Sequence, residues 1–336
     1  MSMKKPLVSI ICTAYNHESF VENALRSVMN QTYASIELLV IDNASSDRTS
    51  ERIEQFCQEY PHTTYIKNAW NKGLCTAFNQ GLKLAKGKYI IDLSADDVLL
   101  PNRVEQQVNY FERLPENFGV IFSNAVYINE SDQILCTHFD VDENGHALDT
   151  IPSGDVYRSI LERYFICTPT MMIRRSLLEI LGGYDESLTY EDFDFWVRSS
   201  TLCAYGYQDE ILTQKRVLDD SLSQQVFRPG SGMLESTYKV CNKAYDLNRT
   251  QAEFDALANR IRTFIRKCFY AQEFELALRF RQLLTYIEDP GVTTECIIFL
   301  CKLRLPINRI YRLYLHHNVK NSPQRKDFRK NFVIPE

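Results

Sequence analysis

The 336-residue sequence lacks any apolar run long enough to cross a bilayer. Its longest stretch free of Asp, Glu, Lys and Arg is the 13 residues Asn117–Asn129, bounded by asparagines, where a spanning helix needs about 20. Glycine (12) and proline (11) are scarce, which excludes collagen-like and low-complexity chains. The few glycines form neither a G-x-G-x-x-G fingerprint nor a P-loop, so dehydrogenase and kinase readings lose support. No C-x-x-C pair occurs among the ten cysteines (Cys12, Cys57, Cys75, Cys136, Cys167, Cys203, Cys241, Cys268, Cys296, Cys301). The Lys4-Lys5 start precedes an apolar stretch too short for a secretory h-region. Scattered through apolar segments, these cysteines are expected as buried, reduced thiols of a cytoplasmic protein. His316 and His317 are adjacent rather than four apart, so they make no helical metal pair.

What is present is globular: 45% hydrophobic and 24% charged residues, with length enough for two domains. The formal charge of −5 is an average over unlike parts. Residues 1–232 hold 20 basic and 32 acidic side chains, whereas 233–336 hold 18 and 11. Nucleic acid is therefore not an expected partner of the acidic part. Within 302–330, nine basic residues (Lys302, Arg304, Arg309, Arg312, Lys320, Arg325, Lys326, Arg329, Lys330) face Asp327 alone, interleaved with leucine, isoleucine and tyrosine. Two readings stand for this stretch: attachment to an anionic membrane surface, or a helical bundle or homo-oligomer interface.

Short apolar, β-branched runs alternate with amphipathic spacing through the first hundred residues. Strands are expected at Leu7–Thr13, Ile36–Asp42, Thr63–Lys67 and Tyr89–Leu93. Helices are expected at Glu18–Asn30, Asp47–Tyr60 with Ser46 as cap, and Cys75–Lys86. That alternation predicts an α/β fold with a mostly parallel central sheet flanked by helices. Beyond Pro101 the pattern becomes mixed, with helices at Val104–Leu114, Leu177–Leu181 and Asp194–Ser200, and strands at Val120–Tyr127, Met171–Arg174 and Ile211–Val217. Phe227–Gly232 reads as a linker, and a helical extension follows at Phe254–Phe269, Phe274–Tyr286 and Ile297–Tyr314, with Pro290-Gly291 and Pro306 as interruptions.

In parallel sheets ligands bind beyond the carboxyl ends of the strands, where four polar clusters fall. These are Thr13-Ala14-Tyr15-Asn16-His17, Asp42-Asn43-Ala44-Ser45-Ser46-Asp47, Asn71-Lys72-Gly73, and Ser94-Ala95-Asp96-Asp97. A strand-end carboxylate suits a base N–H or ribose hydroxyl, and adjacent carboxylates suit a hard divalent cation carrying phosphates. Each also has a plain explanation as a turn, cap or solvated pair. Further on, Gly182-Gly183-Tyr184-Asp185 precedes Tyr190-Glu191-Asp192-Phe193-Asp194-Phe195-Trp196, three carboxylates set among aromatics. Such surroundings tune a carboxylate toward general-base work, although Glu191 and Asp192 can equally cap the following helix. Asp140-x-Asp142-x-Asn144-Gly145 begins like an EF-hand loop, but its twelfth position is Ile151 where a bidentate Glu belongs.

Taken as an ordered set over Leu7–Ser223, these motifs resemble family 2 glycosyltransferases of the GT-A fold. The resemblance implies a catalytic domain over 1–230, with a nucleotide-binding half at 1–100 and an acceptor-side half at 101–230, followed by the basic helical region 233–336. It implies an inverting transfer from a nucleotide-sugar donor, a UDP-sugar favoured, to a hydroxyl of a glycan or lipid-linked acceptor in cell-surface polysaccharide assembly. Asp192 corresponds to the catalytic base. Thr13, Tyr15, Asn16, Asp42, Asn71, Lys72, Ser94 and Ala95 correspond to donor-binding positions, and Asp96 to the ligand of Mg²⁺ or Mn²⁺. Asp97, Gly183, Tyr184, Glu191, Asp194 and Trp196 take acceptor-side or supporting places. Many relatives work at the inner face of the cell membrane, which places this chain in the cytoplasm with a peripheral membrane attachment through 302–330. Two positions depart from the pattern. Ser94 stands where the first Asp of D-x-D is usual, with Asp92 two residues earlier on the same strand face. Leu218 stands where many relatives carry a metal-binding His, with Asp219 and Asp220 as nearby substitutes. These departures keep a second reading open, a non-catalytic nucleotide-sugar-binding protein of the same fold.

Overall fold

A computed structural model of the chain describes residues 5–218, 226–311 and 313. Asp219 and Asp220 lie outside them, as do six of the nine basic residues in 302–330. The chain divides into two compact units, one of Met1–Val156, Ile166–Ser187 and Leu202–Arg216, the other of Tyr157–Phe165, Leu188–Thr201 and Val217–Glu336.

The first unit is built on a mixed sheet with β1 (Val8–Ala14) near its centre. β2 (Ile36–Asp42) and β4 (Tyr89–Ser94) pair with β1 in parallel on its two sides, and β3 (Thr64–Lys67) adds in parallel beyond β2. The parallel expectation holds through these four strands. It fails beyond β4. There β8 (Met172–Arg174) runs antiparallel to both β4 and β6 (Phe118–Ile128), while β6 and β9 (Ala204–Arg216) form a parallel pair. The short β5 (Val98–Leu99) closes the far edge against β9, and β7 (Ile134–Thr137) pairs with β6.

Alternation along the strands explains the layers. Val8, Ile10 and Cys12 of β1, with Leu38 and Val40 of β2, meet α1 (Val21–Met29), α2 (Thr49–Glu59) and α4 (Arg103–Phe111) in one buried core. The opposite face takes α3 (Leu74–Leu84), whose Gly81 lies so close to Ile11 and Ile41 that a Cβ there would clash with both side chains. α2 begins at Thr49, two residues later than expected, and Ser46 does not cap it. Ser46 instead donates to Asn16 Oδ1, and Asp47 Oδ1 accepts the Thr49 N–H at 3.0 Å.

The second unit is helical: α5 (Tyr157–Glu162), α7 (Asp192–Ser200), α8 (Met233–Leu247), α9 (Gln251–Ala271), α10 (Phe274–Thr285) and α11 (Gly291–Lys302); α6 (Arg175–Leu181) belongs to the first unit. A reciprocal Thr250/Glu253 capping box starts α9. The helix expected over Ile297–Tyr314 is two pieces. α11 ends at Lys302, Arg304 adopts a positive φ of 51° in the turn that follows, and a second helical segment begins at Asn308, whose Nδ2 donates to the carbonyls of Phe227 and Tyr270. Seven of the ten cysteines are buried; Cys57 and Cys203 are partly exposed and Cys296 is exposed, against the expectation of uniform burial. Among the described residues no helix is long and apolar enough to cross a membrane.

Candidate active site

Register gathers the strand-end residues. Thr13 of β1 lies opposite Ser94 of β4, and Ala14 lies opposite Asp42 of β2. Thr13, Asp42 and Ser94 therefore lie at the carboxyl ends of three adjacent parallel strands, Thr13 level with Ser94 and Asp42 one step further on, level with Ala14. Because the chain runs from β1 outward through β2 and β3 and returns to β4 on the other side of β1, this row sits at a topological switch point.

Asp42 is fully buried. One carboxylate oxygen accepts from the Ser45 N–H (3.0 Å) and hydroxyl (2.6 Å), and the other from the Ser50 hydroxyl. These bonds wrap the 43–50 loop round the strand end and occupy about three of the carboxylate's four acceptor positions. Asn16, at φ 58°, ties the two loops by accepting from the Ser46 N–H and donating its own N–H to Ser45 Oγ. Tyr15 beside it is 45% exposed, a ring free to face a base.

Asn43 was not among the expected binding residues, yet it positions two of them. Its Nδ2 donates to Asn71 Oδ1 (2.9 Å), and its Oδ1 accepts the Lys72 N–H (3.0 Å) and Asn68 Nδ2 (3.2 Å). The loop carrying Asn71 and Lys72 is thereby hung from the end of β2. Lys72 projects over the exposed Trp70 ring, 5.3 Å from its centroid. The signal for this brace was an asparagine directly after a strand-end Asp, with Asn68 and Asn71 a short strand away.

At the end of β4, Ala95 donates its N–H to the Thr13 carbonyl (3.0 Å), and Ser94 Oγ donates to Asp96 Oδ1. Asp96 is half-buried, whereas Asp97 turns inward and accepts the Arg216 N–H at 2.8 Å. Burial and the neighbouring Asp96 charge push Asp97 well above the usual carboxylate range, opposed by Lys215 and Arg216. Arg216, at the end of β9, also reaches the Asp96 carbonyl through Nε at 3.0 Å. The adjacent carboxylates are thus unequal: Asp96 faces the strand-end row and Asp97 anchors the turn. A hard cation takes one or two carboxylates together with substrate phosphates, and Asp96 with the Ser94 hydroxyl is that kind of partial donor set. Among the described residues no group of three or more His, Cys, Asp or Glu assembles a complete metal cage. The EF-hand-like segment is a turn in which Asp142 Oδ1 accepts the N–H groups of Asn144 and His146.

Asp92 lies half-buried on β4 and accepts the Tyr184 hydroxyl at 3.1 Å. Tyr184 stacks on Phe78 with ring centroids 4.2 Å apart, and Asn79 clamps it by accepting its N–H and donating to its carbonyl, both at 2.9 Å. Gly183, at φ 81°, allows this approach, since a Cβ there would stand 2.4 Å from Asn79 Oδ1. Burial pushes Asp92 up to about 7, against the lowering effect of the tyrosine hydrogen bond. A carboxyl raised on folding favours the folded state below about pH 4, and that contribution is lost as pH climbs toward 7. Asp92→Asn is accordingly expected to melt about 2–4 °C above the parent at pH 8 and level with it at pH 4. Equal melting-temperature differences at the two values would refute the assignment.

In the second unit, Asp192 opens α7 and its Oδ1 accepts the Phe193 N–H at 2.5 Å. Glu191, at the N-cap position, makes no side-chain cap. The negative charge of Asp192 contributes to the upward push on the hydroxyls of the half-buried Tyr164 and the buried Tyr190, whose main cause is desolvation. Asp194 is buried and bonded to Arg198 Nε (2.7 Å) and Lys243 Nζ (2.5 Å), tying α7 to α8. Trp196 is buried edge-on to Tyr164, centroids 5.9 Å apart. Of the carboxylates in this segment, Asp194 therefore serves the packing of α7.

This arrangement has known counterparts. The fold is shared, at 15% identity, with residues 1–349 of Staphylococcus aureus TarS in complex with UDP-GlcNAc (TM-score 0.61, 92% of both chains). It is also shared, at the same identity, with the mannosyltransferase PcManGT of Pyrobaculum calidifontis in complex with GDP-Man and Mn²⁺ (TM-score 0.56, 92% of this chain and 84% of that one). The architecture is the GT-A glycosyltransferase fold. Residues 9–181, just over half the chain, match the model of glycosyl transferase family 2, and the chain belongs to that family. It is 32% identical over 199 residues to an uncharacterised glycosyltransferase of Methanocaldococcus jannaschii, covering 58% of this chain and 65% of the relative. Against one from Rickettsia typhi it is 26% identical over 281 residues, covering 81% and 84%. The chain thus spans just under two thirds of the length of the archaeal relative.

Proposed function

We propose that the chain is an inverting glycosyltransferase that moves a sugar from a nucleoside-diphosphate donor, a UDP-sugar favoured, to a hydroxyl of a glycan or lipid-linked acceptor in cell-surface polysaccharide or glycoconjugate assembly. The observation that carries the reading is the row of Thr13, Asp42 and Ser94 at the switch point of the sheet, with Asp96 just beyond. Thr13, Tyr15, Asn16 and Asp42 bind base and ribose, and Asn71 and Lys72 stand toward the diphosphate. Asp96, oriented by Ser94 and Arg216, would hold Mg²⁺ or Mn²⁺, which when bound neutralises charge on the leaving diphosphate. Asp192 takes the acceptor hydroxyl proton as that oxygen attacks the anomeric carbon opposite the leaving group. Cytoplasmic placement with peripheral attachment to a membrane through 302–330 accompanies this reading and is supported by charge: of the stretch, Lys302, Arg304 and Arg309 are described, all exposed.

A thermal-shift panel of UDP-, GDP- and CMP-sugars, with and without Mn²⁺, tests it. One nucleotide class is expected to stabilise the protein, by about 2.7 kcal/mol at a hundredfold excess over Kd. Asp96→Asn is expected to erase the metal-dependent part of that shift and keep the rest. If no nucleotide sugar moves the transition, the reading fails. The rival, a non-catalytic binder, draws on the neutral Ser94 in the D-x-D position. It predicts the same shift with no diphosphate released from the donor.

A further inference from the structure

We propose that the buried guanidinium of Arg260 is the floor of an acceptor subsite that takes an oxyanion, a carboxylate or phosphate borne by the acceptor; the acceptor role rests on Asp192 being the base of the transfer. Arg260 lies midway along α9 and is 7% exposed. Its Nε and Nη2 are both buried. Among the described residues neither has a hydrogen-bond acceptor, and no carboxylate makes an ion pair with the guanidinium. These two nitrogens form one edge of the guanidinium, the side-on fork whose parallel N–H groups match the two oxygens of a carboxylate or phosphate. A charged donor pair left buried and unbonded is costly. Aromatic contact does not remove that cost. The ring centroids of Tyr164, Phe264 and Phe193 lie 3.8, 5.4 and 5.8 Å from the guanidinium carbon. A ring attracts the flat face of the cation, but it offers no lone pair to the in-plane N–H groups of the edge.

The surroundings select the occupant. Lys267 follows Arg260 by two turns on the same side of α9, and its Nζ lies 5.5 Å from the centroid of the same Phe264 ring. Lys267 is also buried. Burial, with the charges of Arg260 and Arg266, pushes its ammonium down to about 7. A wall with this surplus of positive charge takes an anion and repels a metal cation. Asp192 identifies the source of that anion. It lies in the same compact unit and accepts the N–H of Phe193, one of the rings against Arg260. The charges of Asp192 and Arg260 also act in opposite senses on the Tyr164 hydroxyl. Of the three rings, Tyr164 is partly exposed whereas Phe193 and Phe264 are buried. The oxyanion therefore enters on the Tyr164 side, so that an acid group of the acceptor seats in the fork while a nearby hydroxyl meets the base.

Calorimetric titration of the full chain with methyl glucuronide, methyl phosphate and the neutral methyl glucoside, at constant ionic strength, is the test. At least one of the two anions is expected to bind saturably and the glucoside not at all. Which anion binds distinguishes a uronic-acid acceptor from a phosphate-bearing one. Arg260→Met should weaken that binding about tenfold to a hundredfold, the loss of a charged hydrogen-bonded pair. Arg260→Lys keeps the charge without the fork and should fall between. Without ligand, Arg260→Met should melt level with the parent or above it, because it no longer buries an unpaired charge. A clear drop in melting temperature makes Arg260 a packing group and overturns the proposal. Anion binding indifferent to Arg260→Met overturns it too. So does the absence of anion binding, which leaves the transferase reading standing wherever a nucleotide sugar still stabilises the chain. Arg260-dependent anion binding with no response to any nucleotide sugar overturns the acceptor role together with the transferase reading.

Discussion

Asp192→Asn is expected to lower the rate of sugar transfer by about 10²–10⁴, the usual contribution of a general base, while donor affinity stays at the parent value. The substitution is nearly isosteric. The side-chain oxygen that accepts the Phe193 N–H is retained, so the first turn of α7 keeps its geometry and the melting temperature should not move. What is lost is the capacity to take a proton. The residues proposed to bind the donor belong to the other compact unit, so a selective loss of turnover with unchanged nucleotide-sugar Kd separates a chemical defect from a binding one. Single-turnover transfer with saturating donor is the measurement. Near-parental turnover would remove Asp192 from the mechanism and return attention to Glu191, whose side chain makes no cap on α7.

The parts of the molecule legible in the sequence are those governed by local physics. LVSIICT and IELLVID could only be buried strands, and they are β1 and β2 to within a residue. Helical spacing located α1, α3, α4 and α10 to within a few residues for the same reason. The family resemblance, carried by ordered motifs, is matched by the family model over 9–181. What escaped was set by pairing across long sequence distances. The parallel β6–β9 pair, with register shifts near Ser123 and Asn124, leaves no periodic trace that specifies its partner or direction. Nor does composition reveal that Asp97 turns from the strand-end row into the protein, because the residue that claims it, Arg216, lies 119 positions away. Asn43 was visible as a polar residue after a strand, but its role as a brace needed the loop at 71–73 brought beside it. The interruption near Pro306 was legible, but that α11 already stops at Lys302 was not, because Leu303 and Leu305 continue the apolar pattern past a left-handed Arg304.

Arg216→Met is expected to cost about 1–3 kcal/mol of stability, the range for leaving buried polar groups without their hydrogen-bond partner. Arg216 is 3% exposed, and its guanidinium joins three segments: Nε to the Asp96 carbonyl (3.0 Å), and the two terminal nitrogens to the Asn129 carbonyl and Asp132 Oδ1, each at 2.6 Å. It lies 4.6 Å over the Phe20 ring. Methionine keeps much of that apolar contact and removes the charge and all three bonds, so the loss isolates the polar contribution. The backbone N–H that binds Asp97 survives, but the cation that opposes the upward push on its carboxyl does not, and a buried carboxylate without that cation favours its neutral form. The turn carrying Asp96 then loses its hold, and metal-dependent donor binding should weaken with stability. Arg216→Lys is the discriminating control. It restores the charge facing Asp97 but cannot span three acceptors with one ammonium, so its urea midpoint should fall between parent and Arg216→Met. A midpoint for Arg216→Met equal to the parent's would mean that β5, β9 and the Asp96 turn hold one another without this side chain.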